Sequence, residues 1–153
     1  MKLNTFKTLL RNSKNIGKVF LLAVLLTVYI TGCSSKDEEL GVGPVTEIKL
    51  ASIDKNLVTK GEQIFTSKCS ACHKMNERLV GPPLKDITKR RKPEWIMNMI
   101  LNPQQMTQEN AIAKELFATY LIQMTFQDVS HDDARALLEY FRANDEGLSQ
   151  TSK

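Results

Sequence analysis

The sequence predicts an all-α protein, one small helical domain. Three observations lead there. Between residues 59 and 141 apolar residues recur at three-to-four spacing in four separate stretches. Those stretches open on helix-start signals, and two of them close on Asn102-Pro103 or just before Gly147. Alternating β-branched runs of the kind that form half-buried strands are scarce. A chain of 153 residues has room for one ordinary domain rather than two.

The net charge of +4 suggests an anionic partner such as nucleic acid until the charges are placed. Residues 1–32 hold five basic residues (Lys2, Lys7, Arg11, Lys14, Lys18) and no acidic one. Residues 33–153 then carry 16 basic and 17 acidic residues, so the basicity belongs to the leader and a nucleic-acid partner is not expected. The leader has the form of an export signal: a basic stretch, then the apolar run Val19–Ile30. As a helix, twelve residues reach roughly 18 Å, short of a ~30 Å hydrocarbon core, which favours a cleaved signal over a permanent span. Ile30-Thr31-Gly32-Cys33 resembles a bacterial lipobox, and that resemblance implies a lipid on the Cys33 thiol. Ser34 after the cysteine, by the same resemblance, favours retention at the outer membrane. Residues 33–54 begin polar and glycine-bearing without an apolar period, and are expected to be a flexible tether.

Residues 55–145 are expected to be the folded domain, with 146–153 a tail. Thr59-Lys60-Gly61-Glu62 has the form of a capping box, with Gly61, Ile64, Phe65 and Lys68 following on one helical face. Pro93 suits a first helical position, and Trp95, Ile96, Met99 and Ile100 make a stripe that ends at Asn102-Pro103. Ala111–Leu121 is a third helix with Ile112, Leu116 and Tyr120 aligned. Ser130-His131-Asp132-Asp133 starts the last, whose Ala134, Leu137, Leu138 and Phe141 face inward and which Gly147 follows.

The chemistry sits in Cys69-Ser70-Ala71-Cys72-His73. Two thiols three residues apart can each reach one vinyl group of a single porphyrin, and the adjacent imidazole can then turn onto the iron. A thioredoxin-type pair calls for a parallel-sheet setting. A zinc site needs about four ligands, yet beyond these three residues the chain offers only His131 and, if Cys33 is lipidated, no further cysteine. A disulfide between Cys69 and Cys72 closes too small a loop to stabilise much. One covalent haem c is therefore the expected cofactor.

From Leu57 to Phe141 the chain resembles class I cytochromes c: Lys60–Phe65 leads into the cysteine motif, Gly81-Pro82-Pro83-Leu84 follows it, and a methionine precedes the closing helix Leu137–Phe141. The resemblance implies a helical fold wrapped around the haem, with Gly61 and Phe65 crossing closely against Leu138 and Tyr140 or Phe141. A core this thin has reason to depend on the porphyrin for folding. His73 is then the proximal iron ligand, with the Pro82 carbonyl accepting its outer ring proton. Trp95 either donates its ring N–H to a haem propionate or is simply buried. The sixth ligand falls to Met124, in the loop before the last helix, or to Met106; Thr125 stands where the family commonly has proline. Met75 is too near His73, Met97 and Met99 belong to a core stripe, and His131 is a surface residue.

Such a chain is a monomeric electron carrier, not an enzyme, working between redox proteins: an upstream quinol-chain donor and a terminal reductase. The alternative is a haem enzyme or sensor with a weak or open sixth position. Arg91–Pro103 is similar to segments of small lipoprotein cytochromes associated with nitrous-oxide reductases. Between Lys68 and Lys92 lie eight basic and two acidic residues, and from Glu94 onward four basic and nine acidic. That asymmetry suits the basic segment to docking an acidic partner, or leaves it a solvated face.

Overall fold

A computed structural model describes residues 35–148 of the chain. The chain divides into two units, Met1–Ser34 and Ser35–Lys153, so the leader and the lipobox Cys33 lie outside the described residues. Seven α-helices make up the second unit, with no strand among the described residues. They are α1 Ser35–Leu40, α2 Lys55–Ile64, α3 Ile87–Arg90, α4 Pro93–Leu101, α5 Pro103–Glu109, α6 Ala111–Tyr120 and α7 His131–Asp145. The fold class agrees with the sequence reading.

The principal packing is α2 across α7. At Gly61 the two backbones come so close that a Cβ there would lie 2.1 Å from the Ala136 carbonyl oxygen and 2.8 Å from the Tyr140 Cβ. Only glycine fits. The expected crossing of Gly61 and Phe65 against Leu138 and Tyr140 or Phe141 is met through Tyr140 and Phe141, and Ala136, which the sequence reading did not name, makes the nearest approach to Gly61. One turn on, Phe65 packs on Tyr140 and Phe141 at ring-centroid distances of 5.5 and 6.1 Å.

Helix starts follow local chemistry. The last helix starts at Ser130, as expected, and does so through a capping box: the Ser130 side chain accepts from Asp133 N, and the Asp133 carboxylate accepts from Ser130 N. The first does not. Its N-cap is Asp54, whose carboxylate accepts from Asn56 N and Leu57 N, while Thr59 sits inside the helix and donates to the Lys55 carbonyl. A charged acceptor five residues earlier outcompetes the threonine. Pro93 takes the first turn of α4, as read, and Pro103 does the same for α5 rather than merely ending its predecessor.

The expected tether is the largest departure. From Glu38 to Ile48 the chain is strapped onto the helical domain. Asn98, 1 % exposed on α4, accepts from Val45 N and donates to the carbonyls of Val45 and Leu40. The Glu94 carboxylate accepts from Ile48 N, the Asn110 amide donates to the Glu38 carbonyl, and Glu38 accepts from Ala111 N. Val45 is buried in the core beneath. Gly43 lets the strap lie on Asn98, since a Cβ there would come within 2.4 Å of Asn98 Oδ1. The partners of the strap are buried polar side chains 46 or more residues away, so no apolar period marks it.

Removing Asn98 leaves a buried N–H and two carbonyls unpaired, a cost of about 1–3 kcal/mol. Asn98→Ala is expected to lower the denaturant midpoint and open residues 38–50 to limited proteolysis; parent-like values for both would mean the strap holds without the amide. Asp133 gives a pH signature. The Lys60 ammonium at 2.8 Å, then Ser130, hold its carboxyl at about 2 against an ordinary value of 3.8. The unfolded chain takes the proton first, so this stabilisation is complete above about pH 4 and fades as pH falls towards about 2. In acid titrations of stability, Asp133→Asn is expected to flatten that window, and an unchanged acid limb would contradict it.

Candidate haem site

The α2 helix continues as a turn of π-helix, Phe65–Cys69, with Ser70 N donating to the Phe65 carbonyl at 2.9 Å. Thr66, Ser67 and Ser70 each donate a side-chain hydroxyl back to a carbonyl four residues earlier, the bonding by which such residues distort a helix. This places Cys69, Cys72 and His73 along one cleft. His73 N closes the turn onto the Cys69 carbonyl.

The imidazole is fixed from two sides. His73 Nδ1 lies 3.0 Å from the Pro82 carbonyl oxygen, which can only accept, so Nδ1 carries the proton and Nε2 keeps its lone pair for a metal. The Gly81 backbone lies flat against the ring: a Cβ there would fall 2.4 Å from His73 Cε1. The sequence showed Gly81 as part of a motif; its reason is this contact.

A cavity of about 220 Å3 opens beside these residues, its walls mainly apolar. Cys69, Cys72, His73 and Pro82 line one part, and Leu116, Ile122 and Met124 another. Met124 therefore shares the cavity with His73, as the sequence reading placed it. Met106 does not. It is wholly buried in the core, its sulfur accepting from Val42 N at 2.9 Å and pressed by Gly41. The strap that residues 33–54 were not expected to form is what claims its sulfur. Met99, read as core, lines the cavity as well. His131 is exposed at the start of α7, as expected.

Trp95 also lines the cavity, but its ring N–H is committed to Asn110 Oδ1 at 3.1 Å, 97 % of the residue being buried. Of the two expectations for Trp95, the structure shows burial: its N–H bonds internally and the ring supplies a wall. Asn110 went unnoticed in the sequence. Its oxygen caps α6 through Ala113 N and holds the indole, and its amide holds the strap. Asparagine immediately before an apolar helical stretch was the available signal.

The thiols are free, with Cys72 exposed and Cys69 half-buried. Burial pushes the Cys69 thiol up to about 11, Lys68 opposing the effect and Cys72 adding to it. A dithiol redox catalyst requires the reverse, a thiol lowered towards neutrality. Among the described residues no cluster of three or more His, Cys, Asp or Glu could hold a metal ion. A paired thiol set, one imidazole nitrogen with a lone pair and an apolar slot fit a porphyrin bound through both cysteines.

The comparisons agree. A family model described as cytochrome c matches residues 58–145. A cytochrome c from Rhodothermus marinus is 44 % identical, superposes with a TM-score of 0.68, and covers 72 % of this chain and 94 % of its own. An engineered form of that protein gives 44 % identity, a TM-score of 0.67 and coverage of 71 % and 94 %. The same engineered protein bound to a carbene intermediate gives 44 %, 0.64, and 71 % and 94 %. No curated protein matches the chain. The family's haem c, attached through the cysteines, corresponds here to Cys69 and Cys72. The chain belongs to the cytochrome c family.

Proposed function

We propose that this protein is an exported, lipid-anchored monohaem cytochrome c that passes single electrons between an upstream quinol-chain donor and a terminal reductase. The observation that carries the reading is the placing of His73 and Met124 on one apolar cavity, with Met106 withdrawn into the core. When bound, the haem supplies a one-electron iron couple. His73 would be the proximal ligand, oriented by Pro82, and the Met124 thioether the sixth. A thioether there favours the reduced state and electron transfer over binding of small ligands. Similarity over Arg91–Pro103 makes a nitrous-oxide reductase the acceptor of choice.

Cys33 is the lipid site in this reading. Four residues lie between it and Glu38, where the strap is already packed, so even a fully extended chain would span at most roughly 18 Å, and the helix from Ser35 shortens that reach. The anchored domain therefore rides close to the bilayer rather than at the end of a long tether. No helix among the described residues is long and apolar enough to cross a membrane.

The second reading, a haem enzyme or sensor with an open sixth position, draws on the Met124 loop. Among the described residues no backbone-to-backbone hydrogen bond holds residues 122–129. One experiment separates the readings. In the purified holoprotein the haem stain is expected to survive denaturation, and the reduced form to take up carbon monoxide slowly; Met124→Ala is expected to bind it rapidly. Rapid binding by the parent protein would favour the open-site reading, and loss of stain on denaturation would defeat both.

The basic segment is the proposed docking face for an acidic partner. Lys74 and Lys89 pair with the segment's own Glu77 and Asp86, and Lys92 pairs with Glu39 from the strap. Electron-transfer rates with the physiological partner are expected to fall as ionic strength rises towards 0.15 M, where screening sets in at about 8 Å. Rates indifferent to salt would exclude steering by this face.

A further inference from the structure

We propose that Lys68 is a positioning residue for the sixth iron ligand, clamping the Met124 loop to the helix that bears the haem-binding cysteines. The inference rests on the reading of Met124 as that ligand. Lys68 stands in the last turn before Cys69 and lines the same cavity as Met124. Its ammonium donates to the Gln127 carbonyl at 2.9 Å and to the Asp128 carbonyl at 3.0 Å. Both acceptors belong to the loop between α6 and α7, three and four residues beyond Met124. One exposed cation thus joins the two sides of the cleft.

The loop needs such a clamp. Residues 122–129 have no backbone-to-backbone bond among the described residues. Thr125 stands directly after Met124, where a proline would restrict the chain on its own. Asp128 takes a positive φ of 51°, uncommon for a residue other than glycine, so the loop carries some backbone strain that its surroundings must hold. Side chains supply what holds it. Gln127 folds back to donate to Thr125 O and Oγ1, which stiffens the loop internally. Gln123 donates to the Thr107 hydroxyl at its entry, and Val129 is buried at its exit. Lys68 is the link that runs to the cysteine-bearing helix. Hydrogen bonds from a charged donor are the stronger kind, and carbonyls left without one must find water instead.

The sequence pattern placed Lys68 on the helical face with Gly61 and Phe65, and its charge counted towards docking. In the fold its ammonium is used within the molecule. A docking lysine changes rates only with a partner present, whereas a positioning lysine changes the iron–sulfur bond in the isolated protein.

The test uses the full-length holoprotein as Lys68→Met, Lys68→Arg, Met124→Ala and the Lys68→Met/Met124→Ala double variant. Two readouts report the bond: the sulfur-to-iron charge-transfer absorption of the oxidised form, and the rate of carbon monoxide binding to the reduced form. Lys68→Met is expected to weaken the band and speed carbon monoxide binding about tenfold, the scale of a lost charged hydrogen bond. Lys68→Arg, which keeps donors within reach, is expected to restore both. The double variant should bind carbon monoxide no faster than Met124→Ala alone. A parent-like band and rate in Lys68→Met overturn the positioning role while leaving Met124 as ligand. A parent-like Met124→Ala overturns the ligand reading and the clamp with it. Loss of the band in Lys68→Met together with a matching drop in unfolding midpoint, unrescued by arginine, assigns Lys68 to general stability and overturns the proposal.

Discussion

The contact on which the rest depends is the crossing of α2 and α7 at Gly61. A backbone-to-backbone approach fixes two helices more tightly than side-chain packing can, because neither chain has a rotamer with which to yield. From Gly61 the consequences run along α2 in order. One turn on, Phe65 seats against Tyr140 and Phe141; a further turn brings the π-helical distortion and Cys69. The position of the haem-binding segment is thus set by a glycine eight residues upstream of its first cysteine. The other end of α7 acts on the far side of the site, where Asp145 accepts from Asp86 N, Thr88 N and the Thr88 hydroxyl. A single helix therefore holds both the entrance to the cysteine motif and the exit of the Gly81–Pro82 loop.

A second framework is polar. Glu94, Asn98 and Asn110 are buried, and each spends its hydrogen bonds on backbone far away in sequence. Buried amides stabilise only when fully satisfied, and these are, since no buried side-chain N or O among the described residues lacks a partner. Through them the strap from Glu38 to Ile48 becomes part of the domain, and the wall of the haem cavity is linked to it. Asn110 holds the strap, the start of α6 and the Trp95 indole at once. Met106 is held out of the cavity by the same strap.

What the amino-acid sequence disclosed follows from the range of the interactions. The start of α7 at Ser130, Pro93 at a helix start and the Cys-x-x-Cys-His motif are local, and each was legible. Pro82 beside His73 and Met124 on the same cavity were pointed to by the family resemblance, which carries long-range information that periodicity lacks. The strap was missed because its recognition lies in Asn98 and Glu94, which look like ordinary polar positions in an apolar stripe. The partner of Trp95 was not legible for a related reason: an indole N–H takes whichever acceptor the fold presents, and Asn110 is fifteen residues away. Thr59 lost to Asp54 five residues earlier, where two plausible caps compete and charge separates them.

The two axial sides of the site are held by different means. On the His73 side the ring is fixed by backbone: the Gly81 chain against its face, the Pro82 carbonyl on its nitrogen, and Gly81 N donating to the Cys72 carbonyl. Side-chain substitution at Pro82 leaves that carbonyl in place, so this geometry resists drift. On the Met124 side the loop depends on hydrogen bonds from Lys68, Gln123 and Gln127. Each of these is one substitution from being lost, and none is needed for α2 to cross α7. On the proposed reading, with Met124 as sixth ligand, a fold built this way fixes the His73 side and leaves the other adjustable. The strength of the proposed sixth bond, and with it the choice between carrying electrons and binding small molecules, would then change while the rest of the domain stays as it is.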